Sequence, residues 1–425
     1  MNIHIKDILT PAGEIKNIYI ENDRITGIDE QPKGFVPAKV IEGKDKLLIP
    51  GLINTHTHAY MSLFKNVADD LSFEDWLFNN VEPLEEKLMP EDAYVGAMLS
   101  MIEMIRTGTT CFIDMQMHIN QTSKAAFDSG IRAVITRGLV GNGHDEGGAR
   151  RLKEARDEME SFKDTDRIRF MFGPHAPYSC DPDYLRIVAD EAAKSGLGIN
   201  IHLAESKFEI ALINEKYGCT PIELAQKTGV FDNHTVAAHC VNLTERDIEI
   251  LRDKKVNVAI NPKSNMKLGN GFAPVKEMID AGVNVTLGTD GSASNNSLNL
   301  FSEMNHAALI YKGNLQDPKA VSAKEIFDFV TVNGAKAVGM EGQLGEIKVN
   351  AKADLCILNT NTPGFRPKNN MISALSYSAS GYEVEIVIVD GNILMEDKEL
   401  KTIDEEKIYY EAEKICERIG IERRF

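Results

Sequence analysis

Gly51-Leu52-Ile53-Asn54-Thr55-His56-Thr57-His58-Ala59 follows an apolar Leu47-Leu48-Ile49-Pro50. On a β-strand successive side chains alternate faces, so His56 and His58 point the same way. Same-facing neutral imidazoles are suited to sharing one metal ion. A polar strand end with two half-exposed histidines has the same local pattern, so the rest of the chain must decide between the two readings.

Outward from this stretch, apolar strands alternate with amphipathic helices, the pattern of a parallel α/β fold. Eight strands are predicted: Leu48 to His58, Thr110 to Asp114, Ile131 to Arg137, Ile168 to His175, Gly198 to His202, Thr235 to His239, Val256 to Asn261 and Asn284 to Asp290. Helices such as Pro182 to Ser195 and Thr244 to Lys254 lie between them. Eight such units suggest a closed barrel. The connection from Tyr60 to about Asp92 carries the only tryptophan, Trp76. An insertion at the carboxyl end of a barrel strand reads as a substrate lid.

Short β-like runs occupy both ends of the chain, Ile15 to Ile20 and Arg24 to Ile28 early, Ala353 to Leu358 and Val384 to Asn392 late. Isolated short strands cannot bury a face alone, so the two ends are expected to pair. From about Asp404 the spacing is that of a terminal surface helix. The expected division is a composite β-domain of residues 1–50 and 345–425, including that helix, around a barrel of residues 51–344.

Composition excludes several function classes. Lys and Arg total 47 against 64 Asp and Glu, a net charge of -17 that repels nucleic-acid polymers and anionic lipid. The first residues lack a basic start with an apolar core, and no uncharged run reaches bilayer length, so the expected location is cytoplasmic. Cys111, Cys180, Cys219, Cys240, Cys356 and Cys416 form no Cys-x-x-Cys pair, which points to reduced thiols and to a metal held by nitrogen and oxygen. Small-molecule substrates remain, and homo-oligomerisation stays open.

The polar residues fall at equivalent places. His56 and His58 end strand one, Arg137 strand three, His175 strand four and His202 strand five, with Glu205 just beyond. His239 ends strand six and Asp290 strand eight, within Leu287-Gly288-Thr289-Asp290-Gly291. Such residues converge on one rim of a barrel. His4, His144, His234 and His306 lack this placement and read as ordinary core or surface histidines.

His56-x-His58, His202, His239 and the Thr289-Asp290 strand end resemble the amidohydrolase superfamily. More narrowly, Asn54 to His58, Leu71-Ser72-Phe73-Glu74-Asp75-Trp76-Leu77, His202-Leu203-Ala204-Glu205, Asn261 to Gly269 and Leu287 to Asn296 are similar to the 5'-methylthioadenosine/S-adenosylhomocysteine deaminases. The resemblance implies a distorted (β/α)₈ TIM barrel with a small β-sandwich-like domain formed by both termini. It also implies one divalent ion per chain, Zn²⁺ first and Fe²⁺ or Mn²⁺ compatible, held by His56, His58, His202 and Asp290. Phe170-Met171-Phe172-Gly173-Pro174-His175 offers no lysine for the carboxylated bridge of binuclear members.

By the same resemblance Asp290 takes a proton from the attacking water and His239 orients it. Glu205 protonates the ring nitrogen of adenine, a task that a desolvated glutamate performs near neutral pH. For the nucleoside, Glu85 would bind ribose hydroxyls and Trp76 would wall the pocket, with His175 and Arg137 contacting substrate. Either Arg150 or Arg151 would reach a homocysteine carboxylate, for which a guanidinium fork is suited. The neighbours do not separate these two arginines, an exposed helix start accounts for them equally well, and His118 is a further pocket candidate. The implied substrates are S-adenosylhomocysteine, 5'-methylthioadenosine and adenosine. Rival readings are an aminohydrolase or chlorohydrolase of guanine, cytosine or a triazine, and a non-catalytic barrel scaffold.

Overall fold

A computed structural model describes residues 1–162 and 165–421. Its centre is a sheet of eight parallel strands, each hydrogen-bonded to its sequence neighbour. They are Leu52–Thr57, Thr109–Gln116, Arg132–Leu139, Ile168–Pro174, Gly198–Leu203, Thr235–His239, Asn257–Ile260 and Asn284–Leu287. The fold is the distorted (β/α)₈ barrel expected from sequence. Its distortion lies between the eighth strand and the first, where no ladder forms among the described residues. There Ile53 N–H turns aside to the Val330 carbonyl, 2.8 Å away. Polar side chains stitch the gap instead: Asn54 accepts the Thr289 N–H at 3.0 Å and donates to Thr289 Oγ1 at 2.8 Å.

The sequence reads Leu48 to His58 as one strand, but the structure breaks it at Gly51. Lys46–Pro50 belongs to a second sheet and pairs antiparallel with Leu355–Asn359. Gly51 permits the switch because a Cβ there would lie 2.0 Å from Thr110 Oγ1. This second sheet has nine strands drawn from both termini. Its period-two alternation divides two cores. Leu48, Leu355, Ile357, Ile386 and Ile388 face a small cluster with Ile3, Ile5 and Ile18. Leu47, Ile49, Cys356, Leu358, Val387 and Val389 face the main core of the barrel.

The terminal helix Glu405–Ile419, grouped by sequence with the β-domain, packs against the barrel helix Pro90–Arg106. Arg106 pairs with Glu405 at one end, and Arg418 pairs with Asp92 at the other. The long insertion holds a 3₁₀ turn at Ala59–Phe64 and a π-helix at Asp75–Val81, then the short helix Glu82–Glu85. Among the described residues no helix is long and apolar enough to cross a membrane.

One buried cluster ties the second sheet to the floor of the barrel. Arg132, 1% exposed, places Nε 2.8 Å from Asp354 Oδ2 and Nη2 3.1 Å from Asp354 Oδ1. Nη2 also donates to Asp390 Oδ1 at 2.9 Å. Removing one partner of a buried pair leaves the other charge stranded, so Asp354→Ala should cost about 3 kcal/mol of stability. The shift of the urea midpoint checks this, and a loss under about 0.5 kcal/mol would mean that Asp390 alone compensates the guanidinium.

Candidate active site

The carboxyl ends of the strands bring the predicted donors together. His58 Nε2 lies 3.1 Å from His202 Nε2. Asp290 Oδ1 lies 3.4 Å from His58 Nε2 and 3.6 Å from His56 Nε2. The donors of His56, His58 and Asp290 all fall within 4.8 Å of one another, as do those of His56, His202 and His239. Several of these residues follow strained turns. Ala204, His239, Cys240 and Asp290 have φ of +52°, +71°, +50° and +63°, a region that costs a non-glycine residue about 1–3 kcal/mol.

Hydrogen bonds fix the proton on each ring. His58 Nδ1 lies 2.8 Å from the Met115 carbonyl, and His202 Nδ1 lies 2.8 Å from the His175 carbonyl. Only an N–H pairs with a carbonyl, so both Nε2 atoms present bare lone pairs to each other at close range. Both ring nitrogens of His56 are buried without a partner. Burial first, then mutual repulsion with His58, holds His56 well below its usual pKa, and burial with its histidine neighbours does the same to His202. Burial alone would raise Asp290, but His239, His58, His56 and the Ser264 hydroxyl outweigh it and keep the carboxylate ionised. Asp290 Oδ2 accepts from Ser264 Oγ at 2.6 Å and from Ser294 Oγ at 2.8 Å, while Oδ1 accepts the Gly291 N–H at 2.8 Å. Orphaned neutral imidazoles around one carboxylate fit a divalent cation.

Glu205 stands beside this cluster. Burial, reinforced by the charge of Asp290, pushes its carboxyl up to about 8. Asn270 Nδ2 donates to Glu205 Oε1 at 3.1 Å, while Oε2 lies 3.7 Å from His239 Nε2. His239 Nδ1 in turn donates to Asn265 Oδ1 at 2.9 Å.

His58, His202, Glu205, His239 and Asp290 line a cavity of about 460 Å³ beneath the long insertion. Trp76 forms part of its wall and donates Nε1–H to the Ala293 carbonyl at 3.2 Å. Glu85 is half-buried there and accepts from the Tyr60 hydroxyl at 2.5 Å. Burial raises Glu85 to about 7 against the opposing pull of Tyr60. His175 lines the cavity with Nδ1 2.9 Å from Ser179 Oγ, and burial lowers it to about 4.

The arginines separate. Arg151 lines the cavity with Nη1 2.8 Å from the Val140 carbonyl. Arg150 points away, its side chain 68% exposed and 3.6 Å from Glu154, and does not line the cavity. Arg137 does line it, yet its guanidinium is held by Glu154 at 2.6 Å and Glu158 at 3.0 Å. His118 precedes the helix Ile119–Ser129 without a side-chain capping bond and lies outside the lining. A larger hollow of about 680 Å³ opens at the opposite, amino-terminal face around Arg169, His234 and Gly339; of the donor clusters, His58, His202, His239 and Asp290 line the rim cavity instead.

Sequence reading missed the residues that support the predicted site groups: Ser264 and Ser294 on Asp290, Asn265 on His239, Asn270 on Glu205 and Glu209 behind it. The available signal was the density of small polar residues after strands seven and eight, Asn261 to Asn270 and Ser292 to Asn296.

Comparison with known proteins agrees with this geometry. The 5-methylthioadenosine/S-adenosylhomocysteine deaminase of Caldanaerobacter subterraneus subsp. tengcongensis is 46% identical over 97% of this chain and 98% of its own. The 5'-deoxyadenosine deaminase of Methanosarcina acetivorans is 42% identical over 98% and 97%. A zinc-bound crystal structure of an adenosine deaminase from Xanthomonas campestris superposes with a TM-score of 0.92 at 28% identity, covering 98% of both chains. The model of the Amidohydrolase family matches residues 47–394, a span that holds all the strand-end histidines and Asp290, and the chain belongs to that family.

Proposed function

We propose that the protein is a zinc-dependent aminohydrolase with one ion per chain, which converts the adenine ring of 5'-methylthioadenosine, S-adenosylhomocysteine or adenosine to the inosine-type ring with release of ammonia. The observation that carries this reading is Glu205, a buried carboxyl raised to about 8 whose Oε2 lies 3.7 Å from His239 Nε2 beside the donor cluster. Amide hydrolysis has no need of an acid for a ring nitrogen; adenine deamination does. The names of the relatives support the same substrate class.

His56, His58, His202 and Asp290 would hold the ion, which when bound supplies Lewis acidity that lets water lose a proton near neutral pH. Asp290 takes that proton, with its carboxylate fixed by Ser264, Ser294 and Gly291. His239 Nε2 orients the attacking oxygen. Glu205 Oε2 gives its proton to N1 of the ring, which makes the amino-bearing carbon electrophilic. Asp290 then passes its proton to the departing amino group, ammonia leaves, and the proton of the new C–OH returns to Glu205. The water oxygen remains on the ring, and both carboxyl groups regain their starting states.

Glu85 would accept ribose hydroxyls, and Arg151 would meet a carboxylate on the 5' substituent. Arg137 is already paired with two glutamates and shapes the wall.

Turnover, followed by loss of the adenosine absorbance band and by ammonia, should fall about 10²- to 10⁴-fold in Glu205→Gln. Because the reactive form is the protonated one, kcat/KM of the unaltered enzyme should decline as pH rises through about 8. Absence of turnover of any purine nucleoside by the zinc-loaded protein would sink the reading. Arg151→Ala should raise KM for S-adenosylhomocysteine about tenfold or more, the worth of one charge-assisted hydrogen bond. The same change should leave KM for 5'-methylthioadenosine nearly unaltered, and Arg150→Ala should alter neither.

A further inference from the structure

Glu205 sits on a turn that needs external support. The chain leaves the fifth strand through Ala204, whose φ of +52° is unfavourable for a residue with a Cβ. Three polar backbone groups of the turn are tied down. The Ala204 carbonyl accepts the N–H groups of Val241 at 3.0 Å and Asn242 at 2.9 Å. The Glu205 carbonyl accepts Asn242 Nδ2–H at 3.0 Å. The remaining group, the Glu205 N–H, donates to the side chain of Glu209, whose Oε2 is 2.9 Å away.

Glu209 is an unusual choice for this task. It is 0% exposed, and its Oε1 is buried without a partner. It enters at the start of the helix Lys207–Tyr217, where its own N–H donates to Ser206 Oγ at 3.2 Å. Burying a carboxyl so fully is costly, and the hydrogen bond it accepts comes from the backbone N–H of the proposed proton carrier. Burial, with the nearby Glu205 carboxyl, raises it to about 8, so at neutral pH it is mostly uncharged. His239 and the buried Cys240 thiol are its other titratable neighbours.

We propose that Glu209 is a positioning residue for Glu205: by holding the Glu205 N–H it fixes the strained turn, and so keeps Glu205 Oε2 directed at His239 and at the ring of a bound nucleoside. This inference rests on the assignment of Glu205 as the proton carrier. Small displacements of a reacting group cost rate more than binding, so Glu209→Ala should lower kcat about 10- to 100-fold with KM within about twofold. Glu209→Gln keeps an acceptor oxygen in the same place and should recover kcat to within about threefold. A residue that acts only through Glu205 has nothing left to position once that acid is gone. Adding Glu209→Ala to Glu205→Gln should therefore cause no further loss.

The experiment is steady-state kinetics on 5'-methylthioadenosine with zinc-loaded full-length protein, with melting temperature and metal content recorded for every variant. Full kcat in Glu209→Ala, equal damage from Ala and Gln, or a further loss on the Glu205→Gln background would each overturn the proposal. Should Glu209→Ala fail to fold, Glu209→Asp, too short to reach the turn, supplies the same contrast with Glu209→Gln. If the unaltered enzyme deaminates and Glu205→Gln does not, while Glu209→Ala is fully active, the positioning role alone fails. An inactive unaltered enzyme refutes the functional reading itself.

Discussion

The contact on which the rest depends is the junction of the first and last barrel strands. Asp290 N–H donates to the His56 carbonyl at 2.9 Å, where a regular ladder is missing. The approach is so close that a Cβ on Gly288 would lie 2.5 Å from Asn261 Oδ1 and 2.8 Å from His56 Cβ. A side chain at that position would push the strands apart and separate the aspartate from the two histidines. Closing the barrel and assembling the donor set are thus one event. The cost is an incomplete ladder, met by Asn54 and Thr289 across the gap and by Val330 outside it.

A second constraint is electrostatic. The rim of the barrel buries many carboxyl groups, and burial raises most of them: Glu205 and Glu209 to about 8, Glu85 and Glu303 to about 7, Asp114 to about 6. Asp290 is the exception, held ionised by histidines and hydroxyls. Glu303 acts at a distance, accepting Asn295 Nδ2–H at 2.6 Å and the Lys263 N–H at 3.3 Å. It thereby links the two loops that carry Ser264 and Ser294. One ionised carboxylate beside an uncharged carboxyl is the contrast of environments that acid–base chemistry on one substrate uses.

Much of this was legible in the chain because barrel strands are short apolar runs and their polar ends stand out. His56, His58, His202, His239 and Asp290 could be aligned on one rim without any coordinates, since a strand fixes which face each residue takes. What the sequence left open depended on neighbours distant in the chain. Arg150 and Arg151 are adjacent, yet on the helix Glu146–Glu160 one turns toward the cavity and the other toward solvent; only docking of that helix decides which. The pairing of Arg137 was half visible, because Glu154 and Glu158 are four residues apart and share a helix face. The break at Gly51 was hidden within a continuous apolar run, since its cause is Thr110 on the next strand. The terminal helix reads as an amphipathic surface element, but nothing in its own residues names the barrel helix Pro90–Arg106 as its partner.

His56, His58 and Asp290 at this junction, with His202 from the fifth strand, would hold one ion that acts with Glu205 to deaminate an adenine nucleoside. Titrating the metal-free protein with Zn²⁺, while following ammonia release from 5'-methylthioadenosine, tests it most directly. Activity should rise linearly and break at one equivalent per chain. A break at two equivalents would contradict the single-ion site, and no ammonia at any ratio would contradict the reaction.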